Sequence, residues 1–175
     1  MSYSAIPAGK NLPYDVNVVI EISANSSPVK YEIDKKTNTL WVDRFVGTSM
    51  VYPCNYGYIP QTIAADGDPV DMLVMTPFPL QPGCVLRVRP IGILKMTDES
   101  GGDAKLLGVP VEKLLPSYSC YQTINDVPKE FLARIQHFFE HYKDLEQGKW
   151  VKIEGWGNMD DVKQEINQGV ENAKK

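Results

Sequence analysis

The sequence predicts a mainly β fold with α-helices towards its C-terminal end: a small barrel flanked by two helices. Three observations lead there. Short apolar runs, alternating or nearly continuous, recur through the first two-thirds of the chain and are separated by Gly, Pro, Asn and Asp. No strand–helix–strand alternation interrupts them before residue 125, which disfavours a doubly wound sheet. Two stretches with helical apolar spacing then follow, at about 126–148 and 160–173.

Residues 16–23 place Val16, Val18, Ile20 and Ile22 on one face of a strand and Glu21 on the other. Residues 29–34 alternate Val29, Tyr31 and Ile33 with Lys30, Glu32 and Asp34, so Lys30 and Glu32 are neighbours on one face. The turn Asp34-Lys35-Lys36-Thr37-Asn38 leads into a third strand at 40–46, and the three runs read as a meander. Runs at 70–75, 85–96 and 106–109 add further short strands. The first helix takes Asn125 or Asp126 as its cap, has Pro128 near its first turn and stops at Gly148. Its stripe is Phe131, Ile135, Phe138, Phe139, Tyr142 and Leu145. A strand at 149–154 precedes the second helix, which carries Val162, Ile166 and Val170. With no internal repeat, low-complexity tract or linker, residues 1–175 are expected to form one domain.

The composition narrows the function. Net charge −4 argues against bulk binding of nucleic acid or anionic membrane, which needs a basic surface. A small polyanion is still admissible, because bound divalent cations reverse the local field. No apolar run approaches the roughly 18 residues of a membrane span, and residues 1–12 lack the basic and apolar regions of a signal peptide. Cys54, Cys84 and Cys120 are odd in number and without C-x-x-C spacing, as expected of free thiols in a reducing compartment. The expected location is the cytoplasm, with no nucleic-acid or membrane partner.

The chemistry concentrates at Asp66-Gly67-Asp68-Pro69-Val70-Asp71. Gly and Pro make this a turn, so three carboxylates crowd onto one bend. Like charges that close repel by several kcal/mol at low effective dielectric unless cations lie among them. Oxygen ligands with little His or Cys nearby suit Mg²⁺, Mn²⁺ or Ca²⁺. A single D-x-D would be an ordinary solvated turn; a second acidic loop, residues 97–105 with Asp98 and Asp103, changes the balance. Two such loops at one barrel mouth would bring five carboxylates around several ions.

Two other motif readings fail. A calcium hand counted from Asp66 would place Val70, Asp71 and Pro77 at positions 5, 6 and 12, where an acidic group, Gly and Glu are required. His137-Phe138-Phe139-Glu140-His141 fits H-x-x-E-H, but no third ligand is marked downstream and both histidines fall on the helix flank opposite or beside the aromatic stripe. That flank is expected to face solvent or another subunit. Lys30 and Arg44, on strands, and the aromatic, hydroxyl-rich loop 52–58 complete the polar inventory; taken singly, each reads as a surface charge or a core tyrosine.

At Asp66-Gly67-Asp68-Pro69-Val70-Asp71 followed by Met72 the chain resembles the soluble family I inorganic pyrophosphatases, whose signature is D-x-D-P-x-D and an apolar residue. Pro7-Ala8-Gly9-Lys10, Val19-Ile20-Glu21-Ile22, Lys30-Tyr31-Glu32, Val42-Asp43-Arg44, Tyr52 to Tyr58, Asp98, Asp103-Ala104-Lys105 and His141-Tyr142-Lys143 look like family segments in family order. The likeness runs from about residue 7 to 157 and is bacterial in type. It implies a five-stranded OB-type β-barrel with helices outside, and hydrolysis of pyrophosphate to two phosphates. It implies Asp66, Asp71, Asp98 and Asp103 as metal ligands and Asp68 as the general base. Lys30, Arg44, Tyr56, Tyr142 and Lys143 would grip the phosphates, with Glu21, Glu32 and Lys105 in support. The implied cofactor is Mg²⁺, several ions per site, with Mn²⁺ or Zn²⁺ as substitutes and Ca²⁺ inhibitory. The implied partner besides pyrophosphate is the chain itself, as a homohexamer.

These residue types suit the reaction. Phosphoryl transfer leaves the protein mostly positioning and charge stabilisation. Paired metals can lower the pKa of a bridging water, a neighbouring carboxylate can take its proton, and Arg can neutralise the leaving phosphate with two parallel hydrogen bonds. The competing readings are an anion-binding barrel without chemistry, which would want a basic, aromatic-studded face, and a hydrolase of nucleotides or polyphosphate.

Overall fold

The computed structural model describes residues 2–175. In chain order the elements are β1 (Gly9–Asn11), β2 (Asp15–Ile22), β3 (Val29–Asp34), β4 (Thr39–Phe45), β5 (Asn55–Tyr58), β6 (Asp71–Val74), β7 (Val85–Asp98), β8 (Gly101–Gly102), β9 (Lys105–Pro110), α1 (Lys129–His141), β10 (Val151–Gly157) and α2 (Met159–Asn172). The strands β2, β5, β6, β9 and β7 pair in that order and β7 returns to β2, closing a five-stranded ring. This is the small barrel the sequence predicts, mainly β with two helices, and it has the five-stranded OB type that the resemblance implies.

β7 closes the ring because it is long enough to serve several partners at once. Its first part pairs with β2 (Val88 opposite Val16), its length runs along β9, and its far end pairs with β10 (Asp98 opposite Val151). The register slips between Pro90 and Gly92, where Pro has no N–H to give the ladder and a bend is tolerated. β6 and β9 run parallel, with Asp71 opposite Lys105. β5 lies close against β2: a Cβ on Gly57 would come within 1.9 Å of the Val19 carbonyl oxygen. Only Gly fits there.

Strand alternation distributes the core between the helices. Along β6, Met72 and Val74 join Val162 and Ile166 of α2, whereas Leu73 joins Ile135, Phe138 and Phe139 of α1. Burying each of these aromatics contributes about 1.5–3 kcal/mol. α2 starts at an Asn158 capping box with Asp161.

Several sequence expectations need correction. The 16–46 region is not a meander: β3 and β4 form a separate two-stranded sheet, and β2 pairs with β1, β5 and β7 instead. The chain turns away through Asn25, at φ 56°, and Pro28. The link between β2 and β3 is a side-chain one, the Ile33 N–H donating to Glu21 Oε1 at 2.7 Å. Residues 55–58, read as loop, are strand β5. Asp126 caps the short turn Ile124–Asp126 with Thr123 rather than α1, whose N-cap is Pro128. α1 ends at His141, not Gly148, leaving Leu145 73% exposed. The next residues leave the helix as Lys143 reaches Asp98 and Glu146 reaches Arg44. Among the described residues no helix is long and apolar enough to cross a membrane.

Candidate active site

A cavity of about 290 Å³ opens where the β3–β4 sheet, the two acidic loops and the end of α1 meet. All of the site residues expected from the sequence line it: Glu21, Lys30, Glu32, Arg44, Tyr56, Asp66, Asp68, Asp71, Asp98, Asp103, Lys105, Tyr142 and Lys143. Its positive wall is the hairpin, where Lys30 and Arg44 face each other in register. Lys30 Nζ lies 3.0 Å from Asp43 and 4.0 Å from Glu32, and Arg44 Nη1 lies 2.8 Å from Glu146. The Arg44 Nε is buried without an acceptor. A buried donor left unmade costs about 1–3 kcal/mol, which an anionic ligand would recover.

The acidic wall begins with the loop before β6. The Asp68 N–H donates to Asp66 Oδ1 at 3.0 Å, and Gly67 takes φ +93°, a conformation that L side chains rarely adopt. Thr62 anchors the end of the loop, its Oγ1 accepting from Val70 N–H at 2.9 Å and donating to the Ile59 carbonyl at 2.6 Å. Asp68 is left 70% exposed, 3.4 Å from Lys35. Asp71, the first residue of β6, is carried inward beside Tyr56 of β5.

Three cations hold the remaining acids apart. Lys105 Nζ bridges Asp71 and Asp103. Burial alone would lower the Lys105 ammonium, but Asp71 and Asp103 outweigh it and hold it well above the usual lysine value. Lys143 Nζ donates to Asp98 Oδ2 at 2.8 Å. Lys149 donates to Glu99 at 2.6 Å. Burial pushes Glu99 up, yet Lys149 and Lys143 pull it to about 2. Glu21, 6% exposed, is pushed to about 8, first by burial and then by Asp71 and Glu32, against the pull of the Ile33 N–H. Burial also keeps Tyr56 and Tyr142 as neutral hydroxyls.

The cavity also contains residues not singled out from the sequence, chiefly Tyr52, Glu99, Lys35 and Lys149. Glu99 adjoins Asp98 in the second acidic loop and could have been read with it; Tyr52 opens the hydroxyl-rich segment. The distant pairing of Lys149 with Glu99 left no local signal.

The donor set suits a divalent cation. It offers carboxylate and hydroxyl oxygens without thiolate or imidazole, the chemistry of a hard ion, and Glu99 Oε2 is buried without a partner. Among the described residues no three His, Cys, Asp or Glu side chains are already gathered closely enough to hold an ion, because the lysines stand between them. The residues fit such a cation by chemistry and by shared location.

The sequence model of the inorganic pyrophosphatase family matches residues 18–174. The chain is 60% identical over 174 residues to the inorganic pyrophosphatase of Escherichia coli (strain K12), covering 99% of each chain. It is 60% identical over 170 residues to that of Pseudomonas aeruginosa, covering 97% of each. It superposes on the crystal structure of inorganic pyrophosphatase from Thermus thermophilus with TM-score 0.94 and 41% identity, covering 100% of both chains. On the inorganic pyrophosphatase of Coxiella burnetii the TM-score is 0.92 at 51% identity, covering 95% of this chain and 99% of that one. The chain belongs to the inorganic pyrophosphatase family, in its soluble family I, bacterial branch.

Proposed function

We propose that this inorganic diphosphatase hydrolyses pyrophosphate to two phosphates in a Mg²⁺-dependent reaction with Asp68 as general base. Residues 1–175 would act as one domain. The observation that supports the reading is convergence: Asp66, Asp68, Asp71, Asp98 and Asp103 line the same cavity as Lys30, Arg44, Tyr56, Tyr142 and Lys143.

Asp66, Asp71, Asp98 and Asp103 would hold the divalent cations, several to a site, which when bound neutralise phosphate charge and lower the pKa of water. Mn²⁺ or Zn²⁺ would substitute, and Ca²⁺, with looser coordination, would bind and inhibit. Lys30 and Arg44 bind one phosphate from the hairpin, the orphaned Arg44 Nε supplying a second donor beside Nη1. Tyr56 donates from the barrel, and Tyr142 and Lys143 from the end of α1. Asp68 Oδ takes the proton of the attacking water as the new P–O bond forms and the bridging P–O bond breaks. Its exposure, with Lys35 its only ion-pair partner among the described residues, leaves it free to do so. Lys105 spaces Asp71 from Asp103, Glu21 ties the hairpin to the barrel through the Ile33 N–H, and Glu32 supports Lys30 from the same strand.

The test is Asp68→Asn with Mg²⁺ saturating and Mn²⁺ binding measured alongside. We expect Mn²⁺ binding to persist and turnover to drop well beyond tenfold, or ~1.4 kcal/mol of barrier. A drop smaller than tenfold would rule out Asp68 as the base.

The chain is also proposed to assemble as a homohexamer. Trp41, Phe45, Phe78, Leu145 and Trp150 are each more than half exposed, and exposed apolar surface of this kind marks interfaces.

A further inference from the structure

A second cavity lies behind the acidic wall. Asp66, Asp71 and Asp103 line it on one side, and Glu165 of α2 lines it on the other. α2 is fastened to the segment that carries Asp66 and Asp71. The Ile63 N–H donates to the Gly169 carbonyl at 2.9 Å, and Asn172 Nδ2 donates to the Ile63 carbonyl at 3.1 Å. Gly169 lets the helix approach so closely that a Cβ there would lie 2.6 Å from Val70 Cγ2. The helix therefore holds Glu165 in fixed relation to the loop.

Glu165 is half-buried, and among the described residues no hydrogen bond or ion pair reaches its carboxylate. The cation in this cavity is already used, Lys95 Nζ standing 2.5 Å from Asp161. Lys105 is engaged by Asp71 and Asp103. An unpartnered carboxylate placed against other carboxylates is unfavourable in the bare chain and becomes favourable once a divalent cation joins them.

We propose that Glu165 is a positioning residue of the cation site, raising its affinity for divalent cations through Asp66 and Asp71 without touching pyrophosphate. The inference rests on the reading of Asp66, Asp71 and Asp103 as cation ligands. It predicts that the charge of Glu165 matters to metal binding and hardly to turnover.

The experiment is Mn²⁺ binding to metal-free wild type, Glu165→Gln and Glu165→Asp, followed by paramagnetic relaxation, with thermal unfolding in EDTA and kcat at saturating Mg²⁺. Expected is a roughly fivefold weaker Mn²⁺ affinity in Glu165→Gln, recovered in Glu165→Asp. The metal-free melting temperature of Glu165→Gln should be unchanged or raised, and its kcat should stay within about twofold. Equal Mn²⁺ affinity in wild type and Glu165→Gln would overturn the inference while leaving the cation site intact. Weaker binding with a lowered metal-free melting temperature and no recovery by Asp would overturn it in favour of a packing role. Absence of Mn²⁺ binding in wild type would instead bring down the cation-site reading, and this inference with it.

Discussion

Glu21 is a carboxylic acid in a place made for a neutral group. In the folded chain it keeps its proton to about pH 8, whereas the ordinary glutamate value is 4.5. The folded state therefore binds the extra proton between those values, and stability falls as pH rises through that window. The difference, 8 − 4.5, corresponds to a loss on the order of 5 kcal/mol across the whole window. Glu21→Gln keeps a carbonyl oxygen for the Ile33 N–H and removes the proton. Urea unfolding in EDTA at pH 5 and pH 8 should show a clearly smaller loss of stability with pH in this variant than in wild type; equal slopes would contradict the assignment. At this scale much of the site was legible, because Asp66, Asp68 and Asp71 announce themselves by crowding on a Gly- and Pro-bounded turn. What could not be read was which cation would meet which acid. Lys105 reaches Asp71 through the parallel pairing of β6 with β9, and Lys143 reaches Asp98 across 45 residues. Neither relation has a local periodicity.

The strands of the ring were mostly legible as apolar runs, and the exceptions have physical reasons. β5 was hidden because its alternation is Tyr56-Gly57-Tyr58, where glycine answers the close approach of β2 rather than a turn. That approach gives a sharp expectation. Gly57→Ala should destabilise the fold by about 3 kcal/mol or more, since the obstacle is the Val19 backbone and not a side chain that can move. Gly102→Ala, with open space around the added methyl, should change chemical-denaturation stability by less than about 0.5 kcal/mol. Similar effects of the two would refute the tight β2–β5 packing. The end of α1 was overestimated because Tyr142 and Leu145 continue the helical spacing, while the demands of Lys143 and Glu146 on distant partners override it. The supposed meander failed because alternation reveals a strand but not its neighbour. β4 shows the same gap: Leu40, Trp41, Val42 and Phe45 look like core residues and are exposed.

Across the whole molecule, those exposed apolar side chains and the α1 flank are where assembly would act. The His137 and His141 rings lie 4.6 Å apart, His141 Nδ1 is 2.9 Å from Asp144, and its Nε2 is 3.8 Å from Glu140. Arg134, Glu130, His137 and Met50 border a shallow groove on the same flank. If this flank is a subunit contact, His141→Glu, which sets a like charge beside Glu140 and Asp144, should weaken assembly. Sedimentation should then give a smaller particle for the variant than for wild type; the same particle for both would count against the contact. The central claim, that the acidic and basic walls serve one Mg²⁺-dependent reaction on pyrophosphate, is tested most directly by phosphate release. Pyrophosphate, ATP and tripolyphosphate should each be assayed with Mg²⁺ and with EDTA. The account predicts rapid release from pyrophosphate with Mg²⁺ and little from the others or in EDTA. Undiminished release in EDTA, or release mainly from ATP or tripolyphosphate, would contradict it.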